Sequence, residues 1–213
     1  FTGGWDFISN RRRGYHNANW PQWENAFDGF VYFSDVAARG QIIMDGDFIR
    51  LNTCNSPKER QFWVSLMAIT GSPIAIADQY DTIRGCESFY QNEEILQLNK
   101  LGFSARPLST TVSNPNSSRW IGQLPSGDWI VGLFNRMEVA ADMAIDLKSE
   151  LGIPDGKASN VRDLWEHSDL GPADGSYKVS VPAHGCKILR ISVATKRFQA
   201  EVAALRGNVG VVR

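Results

Sequence analysis

Two aspartates separated by one glycine, Asp45 and Asp47, directly follow the apolar run 41–44. In parallel α/β architectures, ligands bind and reactions occur at polar residues at the C-terminal ends of strands. Gly46 lets the backbone bend sharply, so that both carboxylates can face one cavity. We therefore identify Asp45 and Asp47 as candidate residues of an active-site rim. A surface turn with helix-capping or ion-paired aspartates is the simpler alternative, and these residues alone do not exclude it.

A second set of polar side chains could bind a polyhydroxylated ligand. Arg13, His16 and Asn17 lie in a loop rich in hydrogen-bonding groups, and Trp20 closes that loop. Asp78 ends a second short apolar run, as Asp45 does the first. These five residues are our candidate substrate-binding side chains. The alternatives are a solvated loop for Arg13, His16 and Asn17, and packing in a hydrophobic core for Trp20.

The helix between the two candidate rims has clear end signals. Ser56 is a predicted N-cap, Pro57 occupies the first helical position and Glu59 completes a capping box. Gly71 is predicted to take the left-handed position after the last turn. The residues 73–78 then read as a short buried strand. This order of strand, helix and strand is typical of a βα repeat.

Two more helices are predicted from apolar periodicity, one over 21–33 and one over 92–101. The first carries an inward-facing aromatic stripe that begins with Trp20 and continues with Trp23, Phe27 and Phe30. The second begins with an Asn cap and has acidic residues in its first turn.

After Arg106 the apolar pattern changes from helical to alternating, which indicates antiparallel strands. The predicted strands are 119–124, 129–135, 144–147, 159–165, 177–181 and 186–193. The fold class is therefore α/β plus all-β, with a small antiparallel β-sandwich as the second part. The predicted domains are 1–105, which is α/β, 106–193, which is the sandwich, and 194–213, a tail with a short helix or linker.

Composition narrows the range of partners. The 213 residues carry a net charge of −1 with a pI near 6.4, which argues against nucleic acid and membrane surfaces as partners. Three widely spaced cysteines give no zinc or disulfide pattern, and we predict no metal and no cofactor. The chain opens at Phe1, which suggests a processed or partial polypeptide. Localisation is not determined, and secreted and periplasmic locations are the alternatives that we retain.

Several motifs, in the same order and with similar spacing, resemble glycoside hydrolase family 27, the α-galactosidase and isomaltodextranase group. They are Met44 to Phe48, Arg60 to Met67, Gly71 to Ile74, Gln91 to Asn99, Val131 to Arg136, Asp163 to Trp165 and Val181 to Gly185. The resemblance covers roughly 42–192 and implies the last βα units of a (β/α)₈ TIM barrel followed by the C-terminal β-sandwich. In the family pattern, the Asp45 and Asp47 motif has a proline where this chain has Gly46.

The resemblance implies a retaining glycosidase that acts on O-glycosidic bonds of α-linked sugars with two carboxyl groups. The family's nucleophile stands in a Lys-x-Asp segment, and this chain contains none. The segment that corresponds to the acid/base offers Asn10 or Asn17 in its two registers, and an amide cannot supply a titrating proton. Asp45 and Asp47 are then rim residues that orient the substrate or the acid/base.

Two functions follow as hypotheses. The first is a glycosidase, or a partial chain of one, with a carbohydrate substrate. The second is a non-catalytic carbohydrate-binding or assembly fragment that lacks the nucleophile. A third possibility is a structural β-sandwich with a truncated barrel remnant and no ligand. Since a half barrel exposes strand edges and apolar surface, we also expect the missing barrel half or a partner chain to cover it.

Overall fold

The computed structural model describes residues 20–37, 42–46 and 48–193. The described residues before Arg106 form helices and two very short parallel strands. Their elements are α1 (Trp20–Ala37), β1 (Phe48–Ile49), a 3₁₀ turn (Leu51–Thr53), α2 (Pro57–Thr70), β2 (Ala75–Ile76), α3 (Glu87–Tyr90) and α4 (Glu93–Lys100). None of the helices in these ranges is both long and apolar enough to cross a bilayer.

The second part of the chain is almost entirely antiparallel. Its elements are β3 (Arg106–Pro107), a 3₁₀ turn (Pro115–Ser118), β4 (Arg119–Gln123), β5 (Trp129–Asn135), β6 (Ala141–Asp146), β7 (Lys157–Asp163), β8 (Ser168–Asp174), β9 (Ser176–Val181) and β10 (Gly185–Ser192). Six strands form one sheet in the order β3-β4-β5-β10-β7-β8, and β6 pairs with β9 in a second sheet. The predicted β-sandwich is thereby confirmed.

Helix α2 begins and ends where its sequence signals predict. Ser56 Oγ accepts a hydrogen bond from the Glu59 backbone N–H at 3.2 Å, and Glu59 Oε2 accepts one from the Asn55 N–H at 2.7 Å. The helix stops at Gly71, whose φ of 74° is the left-handed conformation that glycine adopts without strain. Ser72 N–H then donates to Met67 O at 3.1 Å, which satisfies a carbonyl of the last turn.

The central strands of the large sheet, β5 and β10, are buried on both faces, and this explains the nearly unbroken apolar run of β5. Val131 and Leu133 face the small sheet, whereas Ile130 and Phe134 pack with the helices. At Gly132 an added Cβ would lie 2.7 Å from the Cδ1 atom of Ile69 in α2, so the helix approaches the sheet too closely for a larger residue. The helices and the sandwich therefore share one continuous core.

Polar contacts reinforce this packing at the rim of the core. Trp165 Nε1 donates to Ser65 Oγ at 2.7 Å, although the two residues are 100 positions apart. The buried Asn92 caps α4 through its Oδ1 and donates through Nδ2 to Leu164 O at 3.0 Å. Because each contact joins a helix to a strand or turn of the sandwich, the relative position of the two parts is fixed by directional bonds as well as by apolar burial.

The structure differs from the sequence predictions at three elements. The run 41–44 is not a strand in its described part, because the parallel pairing with β2 begins only at Phe48. The predicted strand 73–78 is reduced to β2, and Ile76 is 49% exposed rather than buried, since no described element covers it. Strand β8 was not predicted.

The predicted helix over 21–33 is present but extends to Ala37, and the burial of Phe27 and Phe30 confirms the inner half of its aromatic stripe. The strand β3 begins at Arg106, where the apolar pattern changes. The division into 1–105, 106–193 and 194–213 stays a prediction, and the tail lies outside the described residues.

Candidate functional site

The short parallel pair β1 and β2 positions the described candidate carboxylates. Phe48 pairs with Ala75 and Ile49 with Ile76, and Ala77 N–H donates to Ile49 O at 2.8 Å. The two strands therefore run side by side in a fixed register. Asp45 lies before the N-terminal end of β1, and Asp78 lies beyond the C-terminal end of β2.

Asp45 is exposed, and the backbone next to it is held by Ser72 and by side chains of α1 and α2. The N–H of the next residue, Gly46, donates to Ser72 Oγ at 2.9 Å, and Gly46 is buried. An added Cβ at Gly46 would lie 2.4 Å from Met67 Cε and 2.7 Å from Phe30 Cζ. A larger residue at Gly46 would have to displace the side-chain ends of Met67 in α2 and Phe30 in α1.

Asp78 is bonded to groups of the protein itself. Its Oδ2 accepts hydrogen bonds from the Leu51 N–H at 2.8 Å and the Tyr90 hydroxyl at 2.6 Å, and its Oδ1 accepts from the Asn52 N–H at 3.1 Å. Burial, together with the hydrogen bond to Asp78, raises the pKa of Tyr90, so the phenol remains a donor at neutral pH. Asp78 thus stabilises the start of the 3₁₀ turn and fixes α3 to the end of β2.

The register separates the two carboxylates. The N–H of Gly46, next to Asp45, donates to Ser72, whereas Asp78 accepts from the N–H of Leu51, so the two carboxylates stand at opposite ends of the β1 and β2 pair. The structure therefore does not bring Asp45 and Asp78 together.

The other candidate side chains lie outside the described residues. They are Arg13, His16, Asn17 and Asp47. Trp20 is the first residue of α1, and its side chain lies outside the described part. The site roles assigned to these residues, and to Asp45 and Asp78, stay predictions.

Two positioning residues were missed by the sequence analysis. Ser72 holds the segment at Gly46, and a serine between a C-cap glycine and a proline is a signal that could have indicated a side-chain contact of this kind. The hydroxyl of Tyr90, at the end of α3, donates to Asp78, and no local pattern in the sequence predicts that contact. Among the described residues no group of three or more His, Cys, Asp and Glu side chains could hold a metal ion.

Residues 115–191 match the family model for the alpha galactosidase C-terminal beta sandwich domain. This match identifies the antiparallel part of the chain as a sandwich domain of the kind found at the C-terminal end of α-galactosidases, and a βα unit precedes it in the chain.

Known proteins of that class are similar to this chain. Isomalto-dextranase of Arthrobacter globiformis is 41% identical over 98% of this chain and 34% of its own length. The structure of Arthrobacter globiformis T6 isomalto-dextranase complexed with panose superimposes with a TM-score of 0.72 at 39% identity, over 88% of this chain and 32% of that one. A family 27 β-L-arabinopyranosidase from Geobacillus stearothermophilus shares the fold, with a TM-score of 0.69 at 21% identity over 84% of this chain and 43% of that one.

These findings confirm the resemblance to glycoside hydrolase family 27, with the C-terminal end of the barrel followed by the β-sandwich domain. The chain spans about a third of the length of the isomalto-dextranase that it matches.

Proposed function

We propose that this chain is part of a glycoside hydrolase that cleaves O-glycosidic bonds of α-linked sugars, with dextran as the substrate. The observation that supports this most strongly is the 41% identity with isomalto-dextranase across 98% of the chain. The described structure adds an exposed carboxylate, Asp45, on a segment that is held rigidly by Ser72 and by the packing around Gly46. Rigid support of this kind is what a substrate-orienting residue requires.

The proposed reaction is the retaining one. An ionised carboxylate attacks the anomeric carbon, and a second carboxyl group, about 5–5.5 Å away, protonates the leaving oxygen and later activates water. No Lys-x-Asp segment occurs in the 213 residues, so we place the nucleophile on another part of the polypeptide or on a partner chain. Asp45 and Asp47 are proposed as rim carboxylates of the catalytic site, and Arg13, His16, Asn17 and Trp20 as its substrate-binding residues. Asp78, whose carboxylate accepts from Leu51, Asn52 and Tyr90, is proposed to position the turn after β1 and not to bind the same sugar as Asp45.

Exposed apolar side chains beside the parallel pair support the proposal that further barrel strands, or a partner chain, cover this edge. Ile42 is 53% exposed, Ile43 75% and Ile76 49%, and all three belong to the segments around β1 and β2. A two-stranded sheet with apolar residues in water is marginally stable by itself. An added parallel strand would bury these side chains and complete the hydrogen bonding of the sheet edge.

Turnover measurements on the natural protein that contains this sequence test the proposal. Release of reducing sugar from dextran or panose is expected, with nitrophenyl α-galactoside as the comparison substrate. The 213-residue chain alone is expected to be inactive, because it lacks the nucleophile segment. A natural protein that is folded and releases no sugar from dextran, panose or the galactoside would refute the proposal.

The second candidate function is a non-catalytic carbohydrate-binding or assembly fragment. Asparagine at both candidate acid/base positions, Asn10 and Asn17, favours it. Under this alternative the natural protein binds dextran without cleaving it. The same assay therefore separates the two functions.

A further inference from the structure

The sandwich contains a cleft that is separate from the candidate catalytic edge. It has a volume of about 680 Å³ and lies between the large sheet and the loop that joins β6 to β7. Small-molecule sites commonly measure about 300–1,000 Å³, so the cleft can hold two or more sugar rings. Its lining residues include Arg106, Ile121, Gln123, Trp129, Leu151 and Ile153.

The cleft forms where the small sheet stops covering the large one. Arg106 pairs with Ile121 across β3 and β4, and Gln123 pairs with Trp129 across β4 and β5. Paired residues point to the same face of a sheet, and Ile121 faces the small sheet. Arg106, Gln123 and Trp129 therefore stand on the inner face of the sandwich, at the end that β6 and β9 leave open.

The inner face of a sandwich is normally apolar and buried, and two of these residues are neither. Ile121 is buried, as expected of this face, whereas Arg106 and Gln123 are exposed and Trp129 is partly exposed. A wall that combines one indole ring with amide and guanidinium donors above an apolar floor is typical of a ligand site. The apolar face of a sugar ring stacks on an indole, and its hydroxyls bond to such donors.

The opposite wall of the cleft is already rigid. Glu150 pairs with Arg119 at 2.7 Å, and its Oε2 accepts from the Asp146 N–H at 2.8 Å. Ile153 N–H donates to Leu147 O at 2.9 Å, and Ile153 is buried. Binding of a ligand would therefore cost little conformational entropy in this wall of the cleft.

We infer that this cleft is a second glucan-binding site, which holds a dextran chain through Trp129, Arg106 and Gln123 while hydrolysis occurs elsewhere. The choice of a glucan as the ligand rests on the proposed function. The site lies in the part of the chain that matches the sandwich domain and not on the β1 and β2 edge.

Affinity electrophoresis of the full 213-residue chain, in native gels with and without dextran, tests the inference. Dextran is expected to retard the chain. The double variant Arg106→Ala/Gln123→Ala should bind dextran at least roughly fivefold more weakly, since each hydrogen bond contributes a few-fold in affinity. The control Gln91→Ala/Lys100→Ala removes one amide and one cation from exposed positions on and beside α4, and it should be retarded like the parent chain.

Trp129 gives a second test that does not depend on charge. Trp129→Ala is expected to abolish retardation, and Trp129→Phe should retain part of it because a ring remains. If Trp129→Ala does not fold, the double variant of exposed residues decides the question. A parent chain that is not retarded, or equal retardation of the parent and the double variant, would overturn the inference. Failure of the proposed function is distinguishable, because it appears as absence of turnover by the natural protein.

Discussion

Asn135 is buried, and replacing it is expected to destabilise the turns of the sandwich that its side chain connects. Its Nδ2 donates to Val139 O at 2.8 Å and Val181 O at 2.9 Å, with Pro182 O at 3.1 Å, and its Oδ1 accepts from the Met137 N–H at 2.9 Å. One side chain thus joins the turn after β5 to the end of β9. Asn135→Ala would leave these backbone groups without their partner.

The expected cost follows from the burial of those groups. An unsatisfied buried polar group costs about 1–3 kcal/mol, and the bond to Val181 O is buried whereas those to Val139 O and the Met137 N–H are partly so. Because water can reach the partly buried groups, we expect a total loss of about 3 kcal/mol for Asn135→Ala. At roughly 2–4 °C per kcal/mol, Tm should fall by about 6–12 °C.

Urea and thermal unfolding of the chain, followed by circular dichroism, measure this loss. The matched control is Asn114→Ala, which removes an exposed amide whose Oδ1 accepts from the Asn116 N–H at 2.9 Å. We expect the control to cost no more than about 1 kcal/mol, because water replaces the lost bond. If Asn135→Ala and Asn114→Ala destabilise the chain equally, the reasoning from burial is wrong.

Three further predictions concern the barrel part and its contact with the sandwich. Gly46→Ala should destabilise the chain by about 1–3 kcal/mol in urea unfolding, because its Cβ would overlap Met67, and an unchanged midpoint would contradict this close packing. Ser56→Ala should cost about 1 kcal/mol by the same measurement through loss of the N-cap, and no loss would show that the cap is dispensable. The hydrogen bond from Arg162 lowers the pKa of Glu94, so its stabilisation is present above the ordinary carboxyl range and is lost as pH falls through the lowered value. Glu94→Gln should therefore lower the urea midpoint at pH 7 but not at pH 2, and an equal loss at both would refute the ion pair's role.

Local chemistry explains which elements the sequence predicts well. Both ends of α2 are set by residues within a few positions, Ser56 at its start and Gly71 at its end, so no distant contact is needed to locate them. The hairpin of β4 and β5 is likewise encoded locally, by two apolar runs on either side of a short turn that contains Pro125 and Gly127. In such elements the local sequence already favours the structure that tertiary packing then stabilises.

Tertiary pairing decides the elements that the sequence does not reveal. Strand β8 contains Gly171 and Pro172, which have low strand propensity, and it exists as an edge strand paired with β7 across a register shift. The three donors to Asp78 come from the turn after β1 and from α3, so their convergence depends on the fold. That Asp45 and Asp78 stand at opposite ends of the β1 and β2 pair followed only from the tertiary contacts of these strands.

We propose that this chain is part of a retaining glycoside hydrolase that acts on dextran. Proton NMR of the first sugar released from dextran by the natural protein tests it most directly, because the anomeric signal is recorded before mutarotation. We expect release of the α-anomer, because a double displacement by two carboxyl groups retains the configuration of the anomeric carbon. Release of the β-anomer, or binding of dextran with no release of sugar by a folded protein, would contradict it.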